Sequence, residues 1–132
     1  NHKNTRLEFR YPRHTQKIES LIYFYTSVLN FEILGKFENH DGYDGVFLGI
    51  EGQNWHLEFT QNTEKPLSQF DEDDALVFYP ETTEKFDEIL ENLKKFEVPI
   101  LQPKNPYWQE NGICFEDCDH YKIIVSNMRI KK

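Results

Sequence analysis

The chain has 132 residues, 38% hydrophobic and 15% aromatic, with 23 acidic against 15 basic side chains and a formal net charge of −8. That length sets one domain with a real core, and the aromatic content excludes a disordered chain despite 29% charged residues. The acidic balance leaves no basic field to neutralise phosphates, so nucleic acid and an anionic membrane surface are excluded as partners. No apolar run approaches the roughly 20 residues needed to cross a bilayer, and a cytoplasmic protein is expected.

LEFRY at 7 to 11 reads as a strand. Ile18, Leu21, Ile22, Tyr25, Val28 and Leu29 then recur at i, i+3, i+4 spacing, which predicts an amphipathic helix over 16 to 29 with Thr15 as N-cap. FEILGKF at 31 to 37, GVFLGI at 45 to 50 and WHLEFT at 55 to 60 follow as strands, completing a strand, helix, strand, strand, strand order. QNTEKPLSQFDEDD at 61 to 74 is polar and acidic and contains Pro66, as a connector does; its Asp71 to Asp74 run is read as a solvated face rather than a metal cluster.

The same order recurs beyond the connector. ALVFY at 75 to 79 is a strand, and Phe86, Ile89, Leu90 and Leu93 mark a second helix after Thr82 and Thr83. VPILQ at 98 to 102, GICFE at 112 to 116 and YKIIVS at 121 to 126 close a second set of strands. Laying WHLEFT on YKIIVS pairs Glu58 with Ile124 and His56 with Lys122.

Alternation within NWHLEFT sends His56 and Glu58 to one face, with Trp55, Leu57 and Phe59 on the other. NPYW at 105 to 108 places Tyr107 and Trp108 on a loop near a cleft mouth, as ligand walls, core plugs or dimer contacts. His40 falls in a Gly- and Asp-rich hairpin loop and reads as a solvent-facing turn residue. Cys114 and Cys118 read as free thiols, and CFEDCDH as a strand followed by a tight turn rather than a metal knot.

LIYFYTSVLNFEILG at 21 to 35 and GICFEDCDHYKIIV at 112 to 125 resemble the helix-to-strand and DPDG-turn motifs of the vicinal oxygen chelate superfamily, which holds glyoxalases, bleomycin-resistance proteins and extradiol dioxygenases. The resemblance spans nearly the whole chain, with Asn30 where the family has Gly and Cys118 and His120 inside the DPDG turn. It implies an α+β fold in which two β-α-β-β-β modules form a curved mixed sheet around a cleft. The single domain, 1 to 132, then divides into a first module at 5 to 60, the linker at 61 to 74 and a second module at 75 to 127.

Metal-using members of that superfamily carry four inward ligands, on the first and last strand of each module. Carried over, the resemblance points to Glu8 or Arg10 and to Glu58 in the first module, but to Ala75 or Leu76 and to Ile124 in the second. It therefore implies a small-molecule binder without a complete metal site, with Glu8, Arg10, His56, Glu58, Tyr107 and Trp108 as ligand-binding candidates. No cofactor is expected, and a homodimer is expected, with the cleft within one chain or across two. The alternative is a metal-dependent lyase, isomerase or dioxygenase, its divalent ion held by Glu8, Glu58 and His56; whether any reaction is catalysed stays open between the two.

Overall fold

The computed structural model describes residues 7–131. These form two units, residues 7–26 with 30–67 and residues 27–29 with 68–131.

The first unit contains β1 (Phe9–His14), α1 (Ile18–Val28), β2 (Glu32–His40), β3 (Tyr43–Gly49) and β4 (Trp55–Gln61). Its sheet runs β1-β4-β3-β2, with β1 parallel to β4 and the other pairs antiparallel. The first strand thus starts and ends later than the 7 to 11 expected. Register pairs Val46 with Phe59 and Leu48 with Leu57, and all four are buried. Tyr25 of α1 packs its ring 5.5 Å from that of Phe59 and 5.8 Å from that of Phe31. Each such buried aromatic or aliphatic side chain contributes about 1.5–3 kcal/mol by leaving water.

Both ends of α1 are held by short-range chemistry. Thr15 Oγ1 accepts from the Lys17 N–H at 2.9 Å, and the Gln61 side-chain oxygen accepts from the Ile18 N–H at 2.9 Å, so β4 supplies a second cap. Beyond the helix Asn30 adopts φ 57, the left-handed conformation that asparagine tolerates best after glycine, and the Phe31 N–H reaches the Tyr25 carbonyl at 3.1 Å.

The second unit contains β5 (Ala75–Phe78), α2 (Thr83–Lys95), α3 (Pro106–Asn111), β6 (Ile113–Glu116) and β7 (Lys122–Val125). Its sheet runs β5-β7-β6, again with a parallel first pair and an antiparallel second. Phe115, Ile123 and Val125 are buried, as are Ile89 and Leu93 of α2. Thr82 caps α2 by accepting from the Lys85 N–H at 3.1 Å, while Glu84 in the first turn and Lys94 and Lys95 in the last suit the helix dipole.

Two expected elements differ. The strand expected at 98 to 102 is a single bridge, Leu101 to Cys114, because Pro99 and Pro103 offer no N–H to extend a ladder. The NPYW loop is the short helix α3, with Asn105 Oδ1 accepting from the Tyr107 N–H at 3.0 Å and Pro106 at the first helical position. The CFEDCDH segment is a strand and a tight turn: Asp117 Oδ1 accepts from the Asp119 and Tyr121 N–H groups, and His120 takes φ 67.

Candidate functional site

Alternation along β4 buries Leu57 and Phe59 on the side of α1 and turns His56 and Glu58 to the opposite face of the first sheet, outer with respect to that helix. The parallel register sets Arg10 of β1 beside His56, and the antiparallel register sets Phe47 of β3 beside Glu58. Arg10 Nε lies 3.2 Å from Glu58 Oε1, and the Arg10 guanidinium stands 5.6 Å above the Phe47 ring. The Phe47 ring meets His56 edge-on at 5.3 Å. One strand triplet therefore gathers a cation, an anion, an imidazole and a phenyl ring.

Of the residues expected from sequence, Arg10, His56 and Glu58 come together on this face. Glu8 precedes β1 and is exposed, so Arg10 occupies the first-strand position facing His56. Tyr107 and Trp108 belong to α3 of the second unit, their rings 4.8 Å apart and perpendicular; Tyr107 is half exposed. Phe47 was not among the expected residues, although the alternation of GVFLG places it opposite Val46 and Leu48.

The second unit treats the corresponding positions differently. Its register pairs Ala75 with Lys122 and Val77 with Ile124, as β1 and β4 pair Arg10 with His56 and Pro12 with Glu58. Ala75 thus shares the face of Ile124, whereas Leu76 pairs with Ile123 on the other face. Ile124 is buried against Gly112, where an added Cβ would lie 2.5 Å from Ile124 Cγ2 and 3.4 Å from the Trp108 ring. Charge gathers where β6 ends and β7 begins: Lys122 Nζ donates to Glu116 Oε2 at 2.7 Å, and His120 Nδ1 lies 3.1 Å from Glu116 Oε1. Burial raises the Glu116 carboxyl, but the Lys122 and His120 hydrogen bonds outweigh it and hold the group below its ordinary value.

The superfamily resemblance implies a divalent ion, and the residues present do not fit one. Glu58 is engaged by Arg10, Ala75 and Ile124 cannot coordinate, and no three His, Cys, Asp or Glu side chains among the described residues group closely enough to hold an ion. Asp71 to Asp74 instead close a turn, the Asp71 carboxylate accepting from the Asp73 N–H at 2.9 Å and the Asp74 carboxylate from the Asp71 N–H at 3.2 Å.

Elsewhere in the first unit, His14 Nε2 lies 3.0 Å from both Asn62 Oδ1 and the Glu64 carbonyl, so that nitrogen carries the proton, and Nδ1 lies 3.0 Å from Thr60 Oγ1. These contacts tie the segment after β4 to β1. His40 ends β2 rather than lying in the loop; it is exposed and 3.8 Å from Asp41. Asn39, Asp41, Tyr43, Asp44, Asn62 and Glu64 line an open concavity of about 680 Å³.

Sheets of this order, each with a parallel first strand pair, also build solved structures of glyoxalase and fosfomycin resistance proteins. The trypanothione-dependent glyoxalase I of Leishmania major is 24% identical, with a TM-score of 0.71 over 93% of this chain and 87% of that one. The fosfomycin resistance protein FosX of Listeria monocytogenes, solved with Mn(II) and a dihydroxypropylphosphonic acid, is 14% identical, with a TM-score of 0.65 over 92% and 91%. The chain belongs to the YycE-like family: residues 9–60 match its N-terminal domain and residues 73–127 its C-terminal domain. YycE of Bacillus subtilis is 33% identical over 125 residues, 92% of this chain and 88% of that protein. Its crystal structure, described as a protein of unknown function, has a TM-score of 0.79 over 95% and 90%. Among the described residues no helix is long and apolar enough to cross a membrane.

Proposed function

We propose that the outer face of the first sheet binds a small polar molecule through Arg10, His56 and Glu58, without a metal centre. The observation that carries this reading is the Arg10 and Glu58 pair. It sets a carboxylate at a superfamily ligand position against a guanidinium whose side chain is 55% exposed, while Glu58 is 12% exposed. Contact with Glu58 occupies one of five guanidinium N–H donors, and the rest suit an acceptor such as a carboxylate or phosphonate. Glu58 in turn accepts from a hydroxyl on the same ligand. Binding by this set needs no Lewis acid.

Titration calorimetry with fosfomycin and with lactate, each with and without a chelator, tests the reading. The expected result is saturable, chelator-insensitive binding that weakens about tenfold in Arg10→Ala. Binding of neither compound, or binding that requires added Mn(II), overturns it.

The same reading includes a second copy of the chain as partner. Leu7, just before β1, is 90% exposed and Phe9, its first residue, 63% exposed; β1 is an edge strand of its sheet, and pairing of two copies gives such apolar surface a place to bury. Sedimentation of a dimer that dissociates in Phe9→Glu is the expected outcome; a wild-type monomer at all concentrations removes this part of the reading.

A further inference from the structure

The outer face of the first sheet carries an unusual set of glycines. Register across β2 and β3 pairs Gly35 with Phe47 and Phe37 with Gly45, so each phenylalanine faces a glycine on the neighbouring strand. A Cβ on Gly45 would collide with the Phe37 ring, and one on Gly35 would lie 2.8 Å from Phe47 Cδ2. Both rings therefore lie across the adjacent backbone instead of standing away from the sheet. Gly49 continues the pattern, since a Cβ there would sit 3.2 Å from His56 Cβ.

Glycine inside a strand costs conformational entropy and forfeits side-chain packing, and it marks places where a ring, a backbone or a ligand approaches closely. Here the glycines lower two rings into an aromatic floor, with centroids 5.9 Å apart and planes at 51°. Phe37 and Phe47 are both half-buried rather than sealed in the core. At one end of this floor stand the Arg10 guanidinium over Phe47 and the edge of His56; at the other, His40 meets Phe37 edge-on at 6.0 Å.

We propose that Phe37 and Phe47 form a stacking platform that selects ligands carrying a flat aromatic ring beside an adjacent hydroxyl and carboxylate, 2-hydroxybenzoate being the simplest. This rests on the small-molecule reading of Arg10, His56 and Glu58 and adds a ligand class to it. A ring resting on the floor gains the offset or edge contacts that aromatic faces favour. Its carboxylate meets the Arg10 donors. A lone carboxylate would also face Glu58 and be repelled, whereas a neighbouring hydroxyl donates to Glu58 and turns that repulsion into a hydrogen bond. The paired charges thus read a donor beside an acceptor, and the rings read the plane that bears them.

The test compares 2-hydroxybenzoate, benzoate and lactate by calorimetry on the wild-type protein, with NMR contacts sought between ligand ring protons and the Phe37 and Phe47 rings. The expected result is that 2-hydroxybenzoate binds about fivefold to tenfold more tightly than lactate, the size of one aromatic pair. Benzoate should fall below 2-hydroxybenzoate. Phe37→Leu should erase most of the preference for 2-hydroxybenzoate over lactate, with folding checked by circular dichroism and Phe47→Leu as the second variant. Equal binding of lactate and 2-hydroxybenzoate overturns the platform but leaves the polar site standing. Failure of all three, with fosfomycin also unbound, overturns both.

Discussion

Arg10 Nε and Glu58 Oε1 stand 3.2 Å apart, yet the Arg10 side chain is 55% exposed and that of Glu58 only 12%. That asymmetry predicts unequal effects of breaking the pair. Arg10→Ala leaves a nearly buried carboxylate without its partner and should cost about 1–2 kcal/mol. Glu58→Gln leaves a guanidinium that water can solvate and should cost within about 0.5 kcal/mol. Urea denaturation of both variants and of the double variant checks this, with the expectation that Glu58→Gln rescues part of the Arg10→Ala loss. Equal single losses would mean that the pair behaves as an ordinary surface contact.

Glu97, just past the Phe96 cap of α2, lies in the left-handed region at φ 55, its N–H reaching the Lys94 carbonyl at 3.1 Å and the Val98 N–H reaching that of Leu93 at 2.9 Å. This hydrogen-bond pair is the arrangement that ordinarily recruits glycine, and a side chain with a Cβ there costs roughly 1 kcal/mol. Glu97→Gly should therefore raise stability by about 1 kcal/mol, a rise of about 3–5 °C in the thermal midpoint. Asn30→Gly at φ 57 should change much less, because asparagine already tolerates that conformation.

What the sequence revealed follows from which forces are local. Facing along β4 was legible because burial on one side of a sheet imposes a period of two, so Leu57 and Phe59 separate from His56 and Glu58 without further information. The choice between Glu8 and Arg10 was not, since both have the same parity and only the start of the ladder at Phe9 decides it. Phe47 escaped notice because its place beside Glu58 depends on cross-strand register, which alternation within one strand does not encode. The bridge at Leu101 and the helix at Pro106 were legible in principle: Pro99 and Pro103 limit a ladder, and Asn-Pro is a helix start as well as a turn.

Cys114 and Cys118 are four residues apart, and neither is held in a disulfide, but their surroundings differ. Cys114 is buried on β6, where burial, the largest influence, pushes its thiol up even though nearby Lys122 pulls the other way. Cys118 is half-buried in the following turn. The thiolate is the reactive form, so a thiol reagent at neutral pH should modify Cys118 rapidly and Cys114 only at the rate of local opening. Mass spectrometry of a timed alkylation series reads the order directly; equal rates would show that the β6 edge opens freely.

Glu116 and Lys122 make stability depend on pH at two ends of the scale. Glu116 is held below its ordinary 4.5: burial opposes the charge, and the hydrogen bonds from Lys122 and His120 more than compensate. Lys122 is held above its ordinary 10.5, chiefly by its hydrogen bond to Glu116. For the carboxyl, the unfolded chain takes up its proton at higher pH than the folded one, so its contribution is present above about 4.5 and is lost as pH falls through the lower folded value. For the lysine, the folded chain keeps its proton longer, so its contribution is present below 10.5 and is lost as pH rises through the higher folded value. The stability difference between wild type and Lys122→Met should accordingly form a plateau of about 0.5–1 kcal/mol across neutral pH and shrink at both extremes. Glu116→Gln should remove the same plateau. Denaturant midpoints measured from acid to alkaline pH on the three proteins check the shape, and a difference that kept growing toward acid would overturn the assignment of Glu116 as the depressed group.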